Sequence, residues 1–242
     1  MAENISIVTL QLNKLASYNI LIVTFAVYLL SITKRRTVQV KFKISLIENI
    51  VTMINLEKGQ RISMDKGLSL VGVGLGWDPN EGSGYDFDLD ASAFMLGENG
   101  QIPQQEFFVF YGNQKAPDGS VESTGDDLTG GNSDGGDDET LNVDLTKVSP
   151  QIKEIIFTAT IYKAEERRQN FGQVRNSYIR IYDAKTNTEI ARYDLDEDFS
   201  IETAVEFGRL YRHNGEWKFE AIGNGNKGGL QALVNKYAKQ FA

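Results

Sequence analysis

Residues 86–96 read Asp86-Phe87-Asp88-Leu89-Asp90-Ala91-Ser92-Ala93-Phe94-Met95-Leu96. Because successive side chains of a β-strand point to opposite faces, the three aspartates fall on one face and the apolar residues between them on the other. Neighbouring carboxylates in this column would lie about 7 Å apart and repel each other by roughly 2 kcal/mol at an effective dielectric of about 20. A strand tolerates this repulsion only where water screens it or a cation neutralises it.

From residue 54 onward the chain has the alternating pattern and turn signals of a β protein. Asn214-Gly215 predicts a type I′ hairpin turn, and residues 201–207 fit either a helix or a strand. Short helices are predicted at residues 149–154 and 164–170, and an amphipathic C-terminal helix at residues 228–241. Further strands are predicted at residues 68–77, 106–111, 155–162, 174–181, 189–195, 208–211 and 216–222. This pattern predicts a mainly β fold, a β-sandwich of two sheets with a few short helices and a C-terminal helix.

Charge is distributed unevenly along the 242 residues, whose formal net charge is -8. Residues 1–52 carry six Lys and Arg against two Glu, so the remainder is strongly acidic. An acidic surface repels phosphate backbones, and direct nucleic-acid binding is therefore not expected. The chain has no cysteine and one histidine, His213 in a predicted turn, which excludes disulfides, thiolate catalysis and multi-histidine metal sites.

Residues 1–52 are interpreted as an extension outside a domain formed by residues 53–242. Their apolar run, residues 20–32, is flanked by Lys14 and by Lys34-Arg35-Arg36, and it is shorter than the roughly 20 residues of a spanning helix. The extension is either an upstream segment, with Met53 as the natural start, or a membrane anchor. The lack of a small-residue cleavage site argues against a signal peptide. We expect a cytoplasmic protein, with membrane association if residues 1–52 are translated.

A second acidic stretch lies downstream of the first. No Lys or Arg occurs between Lys115 and Lys147, and glycines are interleaved there with nine carboxylates. Loops of this composition are usually solvated, but they also form hard-cation sites, because glycine lets carboxylates and carbonyls converge. Oxygen donors without nitrogen or sulfur favour calcium or magnesium, and calcium is preferred because the loop is supple and the carboxylates are many.

Two other interpretations of the clustered acids are weaker. An EF-hand is excluded because Ala91 stands where its turn glycine must be, and Gly97 where its bidentate glutamate must be. Paired carboxylates also occur in glycosidases, but nothing in the sequence indicates a sugar-binding cleft.

Glycines and arginines give two further expectations. Gly72-x-Gly74-x-Gly76 lacks the spacing of a dinucleotide-binding fingerprint, and it predicts the close approach of another backbone. Four arginines are interpreted as ion-pair partners of the acidic surface, with an anion-binding site as the alternative: Arg167, Arg168, Arg175 and Arg180.

Several short motifs follow one another in a specific order along the chain. They are Gly74-Leu-Gly-Trp-Asp78, Asp86-Phe-Asp-Leu-Asp-Ala-Ser92, Pro117-Asp-Gly-Ser-Val121, Gly125-Asp-Asp-Leu-Thr-Gly130, Asp137-Asp-Glu139, Phe171-Gly-Gln-Val-Arg-Asn176, Ala191-Arg-Tyr-Asp-Leu195 and Leu210-Tyr-Arg-His-Asn-Gly-Glu-Trp-Lys-Phe219. In this order they resemble the TerD family, the tellurium-resistance and general-stress proteins of bacteria. The resemblance covers about residues 53–242.

The resemblance implies a calcium-binding β-sandwich in which an Asp-x-Asp-x-Asp strand and a Gly-Asp-Asp-Leu-Thr-Gly loop hold the metal, as a pair of neighbouring Ca2+ ions. The segment at residues 131–135 departs from the family, so Asp134 is not assigned as a ligand. Transferred to this chain, the implied ligands are Asp86, Asp88, Asp90, Asp126 and Asp127, with contributions from Asp137, Asp138 and Glu139.

Together these inferences give a functional hypothesis, a non-enzymatic, calcium-binding stress-response protein of the tellurite-resistance type. Calcium would order the acidic loop and create a surface for partners, expected to be other tellurite-resistance-type proteins at or near the membrane. The alternative is a metal-dependent phosphoryl-transfer or nucleotide-handling enzyme that uses the same acidic site. Such an enzyme needs an open coordination position and an anion site such as Arg167 or Arg175.

Overall fold

The computed structural model describes residues 58–64, 67–131 and 136–241, which form two antiparallel sheets of a β-sandwich. Three short α-helices accompany them: α1 (Ala164–Arg167), α2 (Leu195–Asp198) and α3 (Gly229–Tyr237). The strands are β1 (Arg61–Ser63), β2 (Leu70–Gly76), β3 (Leu89–Leu96), β4 (Phe108–Val109), β5 (Val121–Ser123), β6 (Glu139–Asp144), β7 (Glu154–Ile161), β8 (Tyr178–Asp183), β9 (Thr188–Asp194), β10 (Ala204–His213) and β11 (Glu216–Asn226).

The two sheets divide the strands between a larger and a smaller layer. The six-stranded sheet has the order β1-β11-β10-β7-β3-β4, and the five-stranded sheet has the order β5-β6-β2-β8-β9. The predicted β-sandwich, with short helices and a helix near the C-terminus, is therefore confirmed. Strand β3 lies next to the edge strand β4 of the larger sheet, which places the acidic stretch near one margin of the sandwich.

Strand β3 has the alternation that the sequence predicts, but both of its faces are buried. The apolar residues Leu89 and Ala93 face the core with no exposed surface, and Asp90 on the other face is only 3% exposed. Helix α3 covers part of that second face, where the Tyr237 ring packs 5.4 Å from the ring of Phe94. The strand begins at Leu89 rather than at residue 86, so Asp86 and Asp88 lie in the segment that leads into it.

The three glycines of β2 leave one face of this strand without side chains. The sequence predicts that another backbone packs against this face, but side chains cover it instead. A Cβ atom on Gly74 would lie 2.1 Å from Oδ2 of Asp137, and one on Gly72 would lie 2.2 Å from the ring of Tyr182. Tyr178 occupies the same position over Gly76. The glycines therefore make room for side chains of the neighbouring strand and loop.

Local elements agree with the sequence in part. The Asn214-Gly215 turn joins β10 to β11 with φ values of 52° and 81°, as a type I′ turn requires. Residues 204–207 of the ambiguous segment belong to a strand, β10. The predicted helix at 149–154 is wrong: the segment makes a single turn, closed by the Ile152 amide on the Ser149 carbonyl (3.0 Å), and then enters β7. The predicted strand at 106–111 is shortened to β4 by a 3-10 turn at Gln105–Phe107.

The apolar run at residues 20–32 lies outside the described residues, so its predicted roles remain predictions. Within the part of the chain that the structure describes, no helix has the length and apolarity needed to cross a membrane.

Candidate metal centre

Three carboxylates converge at the start of β3. Asp88, Asp90 and Asp126 each offer one oxygen, and these oxygens all lie within 4.8 Å of one another. Asp88 and Asp90 are buried, with 5% and 3% of their surface exposed, whereas Asp126 is exposed. The strand and the loop that the sequence predicts as two halves of one site are thus brought together.

Hydrogen bonds of the β3–β7 ladder fix the position of the first two aspartates. Asp90 lies opposite Thr160 of β7 in the register of the sheet. The amide of Tyr162 donates to the carbonyl of Asp88 (2.8 Å), which extends the ladder one step beyond β3. The two carboxylates therefore stand on rigid backbone.

The third carboxylate comes from the loop at residues 125–131, called the acidic loop below. Its shape depends on Asp127, whose Oδ1 accepts the amides of Thr129 and Gly130 (both 2.9 Å). The loop is anchored on Trp77, whose carbonyl accepts the amide of Gly131 (3.0 Å). Asp127 therefore builds the loop that presents its neighbour, Asp126.

Glu139 links the acidic loop to β3 through two backbone hydrogen bonds. Its Oε2 accepts the amide of Ala91 (2.8 Å), and its Oε1 accepts the amide of Asp127 (3.3 Å). The side chain is buried, with 4% of the residue exposed. Strand β4 pairs with Ala93 and Phe94 of β3 and does not reach Ala91. The Glu139 carboxylate therefore accepts the Ala91 amide in place of a strand carbonyl.

Burial and mutual repulsion raise the pKa values of three acids at this site. Burial raises the pKa of Asp90 to about 7, and the charges of Asp88 and Asp126 add to the rise. Burial raises the pKa of Glu139 to about 8, against the lowering effect of its hydrogen bond from Ala91. The pKa of Asp88 is also raised, chiefly by burial, while Arg167 opposes the shift. A bound cation would take the place of the protons on these acids.

One arginine contributes positive charge to the cluster. The guanidinium of Arg167 lies 3.3 Å from Oδ2 of Asp88 and also donates to the carbonyl of Asp86 (3.4 Å). It stacks over the rings of Tyr162 and Tyr85, at 5.1 and 5.6 Å from their centroids. A single guanidinium cannot balance three carboxylates, so the cluster keeps an excess of negative charge.

The other expected ligands have different partners. Asp137 accepts two hydrogen bonds from Arg180 (2.8 and 2.9 Å) and one from the Tyr178 hydroxyl (2.9 Å). Asp138 accepts the backbone amide of Trp77 (2.8 Å). Asp86 is exposed, and the three-carboxylate cluster does not include it. The predicted ligand set as a whole stays a prediction.

The chemistry of the cluster fits a hard cation. Its donors are carboxylate oxygens, which calcium binds at about 2.3–2.6 Å. Two oxygens on opposite sides of one such ion are about 4.8 Å apart, and the three cluster oxygens lie within that distance of one another. Asp88, Asp90 and Asp126 can therefore surround a single ion with small side-chain movements.

Three of the four arginines, not including Arg168, form the ion pairs that the sequence favours over an anion site. Arg167 pairs with Asp88, Arg180 pairs with Asp137 at 2.8 Å, and Arg175 pairs with Glu81 at 2.8 Å. The two arginines that the enzyme alternative would use, Arg167 and Arg175, both contact carboxylates.

The family follows from a match over most of the described chain. The family model for the TerD domain matches residues 52–237. The chain belongs to the TerD family. General stress protein 16U of Bacillus subtilis is 51% identical over 191 residues, covering 77% of this chain and 98% of that protein. Tellurium resistance protein TerD of Serratia marcescens is 49% identical over 187 residues, covering 76% and 96%.

A solved structure supports the fold of this TerD-family chain. A homologue of telluride resistance protein TerD from Streptomyces coelicolor superposes with a TM-score of 0.60 at 21% sequence identity. The match covers 70% of this chain and 96% of that chain.

Sequence reasoning did not identify Thr160 as a neighbour of the cluster. Its hydroxyl is buried and has no hydrogen-bond partner among the described residues. The period-2 alternation of Thr158 and Thr160 in a β-branched strand places both on the polar face of the sheet. That signal becomes useful only when the register with Asp90 is known.

Proposed function

We propose that this chain is a non-enzymatic, calcium-binding stress-response protein of the tellurite-resistance type. The observation that carries the proposal is the convergence of Asp88, Asp90 and Asp126 within 4.8 Å, with two of the three carboxylates buried. Burying carboxylates this close together is costly without a neutralising partner. The names of the curated relatives supply the context of tellurium resistance and general stress.

Calcium would order the acidic loop and thereby shape a surface for partners. The loop carries Asp126 at the ion, and Asp127 and Gly130 hold its turn. A cation on Asp126 would tie this exposed loop to rigid β3. The proposed partners are other proteins of the tellurite-resistance type, at the membrane if residues 1–52 are translated, in a cytoplasmic setting.

The ligand set is proposed in two parts. Asp88, Asp90 and Asp126 hold the first ion. The family resemblance implies a pair of neighbouring ions, and it adds Asp86 and Asp127 to the ligands, with contributions from Asp137, Asp138 and Glu139. Calorimetric titration separates the two possibilities, because a stoichiometry of two supports the pair and a stoichiometry of one confines binding to the cluster.

Thermal unfolding of the full-length chain in calcium and in EDTA tests the proposal. We expect calcium at 1 mM to raise the melting temperature of the wild type sharply and to have little effect on Asp88→Asn. Glu98→Gln is the matched control, since that side chain is 88% exposed on a turn outside the cluster. No shift of the wild type at millimolar calcium would refute calcium binding.

The enzyme alternative makes a different demand. A phosphoryl-transfer site needs an anion-binding group near the metal, and Arg167 is held by Asp88 and by the carbonyl of Asp86. Binding of inorganic phosphate or a nucleotide to the calcium- or magnesium-loaded protein, lost in Arg167→Gln, would favour the enzyme.

A further inference from the structure

A cavity of about 720 Å³ opens beside the metal centre. It is bounded by α3 on one side and by β3, β4 and β7 on the other, and Asp90 lies at one end. This volume is within the range of roughly 300–1,000 Å³ that small-molecule sites occupy. The metal centre does not account for the rest of this space.

One wall of the cavity is a ladder of aromatic rings. The rings of Phe108 and Phe110 are stacked at 4.3 Å, and Tyr111 packs edge-on against Phe110 at 4.9 Å. Tyr111 in turn contacts the ring of Tyr162 at 5.9 Å and is 40% exposed. Partial burial raises the pKa of the Tyr111 phenol, and the negative charge of Asp90 adds to the rise. Tyr111 is therefore close enough to the metal centre to interact with its charge.

The end of the cavity away from Asp90 carries positive polarity. In the register of the sheet Asp90 lies opposite Thr160, Thr160 opposite Ala204 and Ala204 opposite Asn226, so the residues after β11 are three strands from Asp90. The first turn of α3 lies there, together with the exposed side chain of Lys227. The amide of Gly229 donates to Oγ1 of Thr203 (3.2 Å), and the amides of Leu230 and Gln231 follow in the same turn. The first amides of a helix have no partner within the helix, and the helix dipole adds positive potential, so this end favours an anion.

A buried hydroxyl between these two ends has no partner. Thr160 lines the cavity and is 1% exposed, and its Oγ1 has no hydrogen-bond partner among the residues the structure describes. Leaving such a buried group unpaired destabilises the folded protein. Thr160 lies directly opposite Asp90 in the sheet, so a ligand near it would lie next to the cation.

The charge of the lining depends on the cation. The lining contains two lysines, Lys163 and Lys227, and three carboxylates, those of Asp90, Glu165 and Glu166. Lys163 is partly engaged by Glu166 at 3.7 Å. With its carboxylates ionised the lining is net negative, and a divalent cation shared by Asp88, Asp90 and Asp126 offsets that charge, so the cavity favours an anion more strongly once the cation is bound.

We propose that this cavity binds a small aromatic organic anion, and that binding requires calcium at the metal centre. The acidic group lies at Lys227 and the first turn of α3, and the ring packs on the wall formed by Phe110, Tyr111 and Tyr162. The inference rests on the proposed function for its calcium requirement. Because coupling between two sites is reciprocal, the same anion strengthens calcium binding.

Fluorescence titration of the full-length chain with 8-anilinonaphthalene-1-sulfonate, an aromatic sulfonate, tests the proposal. We expect one dye per chain, with affinity at least about tenfold higher in calcium than in EDTA. Lys227→Met and Tyr111→Ala each weaken dye binding in calcium at least fivefold. Lys185→Met is the matched control and leaves it unchanged, since Lys185 donates to Ser69 outside the cavity.

Calcium-induced thermal shifts of the same variants separate the possible failures. Wild-type shifts in Lys227→Met and Tyr111→Ala show that fold and metal centre are intact. If calcium then shifts the wild type but dye binding is absent, multiple, or insensitive to both substitutions, the cavity proposal is overturned and the metal centre stands. If calcium causes no shift in the wild type, the proposed function and the calcium requirement are overturned together.

Discussion

Replacing Asp90 with asparagine should stabilise the calcium-free protein and abolish its response to calcium. In the folded protein the pKa of Asp90 is raised to about 7 from 3.8, because the carboxylate is buried beside Asp88 and Asp126. A raised pKa in the folded state means that stability is fully present below pH 3.8 and is lost as the pH rises through 7. Asparagine has a similar shape and does not ionise.

The size of the effect follows from the shift of the pKa. A difference between 3.8 and about 7 corresponds to a cost of roughly 4 kcal/mol at pH 8, where Asp90 is ionised. At pH 5 the cost is smaller, roughly 1.5 kcal/mol, because stability has been lost only over the range from pH 3.8 to pH 5. Against this, calcium at a thousandfold excess over its dissociation constant stabilises the wild type by about 4 kcal/mol.

Urea denaturation of wild type, Asp90→Asn and the control Glu98→Gln measures these terms. In EDTA at pH 8 we expect Asp90→Asn to have a higher free energy of unfolding than the wild type. At pH 5 this difference in free energy of unfolding should be smaller by about 2–3 kcal/mol. In calcium at pH 8 only the wild type and Glu98→Gln gain stability. The difference between wild type and Asp90→Asn therefore shrinks or reverses.

Two results would refute this reasoning. Asp90→Asn less stable than the wild type in EDTA at pH 8 would mean that the buried carboxylate is not a cost in the folded state. An equal gain in calcium for wild type and Asp90→Asn would mean that the ion binds without this residue.

Three further substitutions probe the surroundings of the cluster. Asp88→Asn should weaken calcium binding in calorimetry far more than Asp86→Asn, because Asp88 is buried and belongs to the three converging carboxylates, whereas Asp86 is exposed and does not; equal losses would show that Asp86 contributes as much as Asp88. Asp137→Asn should lower the free energy of unfolding by about 3 kcal/mol, because it breaks a buried bidentate pair with Arg180. The affinity for the ion at Asp88, Asp90 and Asp126 should change less than threefold in calorimetry; a larger change would make Asp137 a ligand of that ion. Gly130→Ala should weaken calcium binding at least fivefold, because its φ is +68° and a Cβ would lie 2.3 Å from the indole of Trp77; unchanged affinity would show that loop shape does not matter.

The sequence predicts those features of the fold that depend on local periodicity. The alternation of Leu89, Ala91 and Ala93 predicts the core-facing side of β3, and Asn214-Gly215 predicts the hairpin turn between β10 and β11, because both signals involve only neighbours in the chain. The predicted helix at 149–154 fails because Ser149 and Pro150 are good helix starters, whereas the amide of Lys153 is used to bond the carbonyl of Leu96. Tertiary pairing overrides local preference there.

The candidate site shows the same division between local and long-range information. The sequence predicts Asp88, Asp90 and Asp126 as cation ligands, but their convergence depends on how the acidic loop packs against Trp77. The partners of Gly74 and Asp137 depend on which strand lies next to β2, and no local pattern shows that order. The cavity beside Asp90 exists only because α3 covers the outer face of the sheet.

The most direct test of the calcium centre is a crystal structure of the calcium-loaded protein, with the ion identified by anomalous scattering. We expect an ion bound by one carboxylate oxygen each from Asp88, Asp90 and Asp126, at about 2.3–2.6 Å. An ion bound elsewhere, or crystals grown in millimolar calcium in which Arg167 still bridges to Asp88 and no ion lies on the cluster, would contradict it.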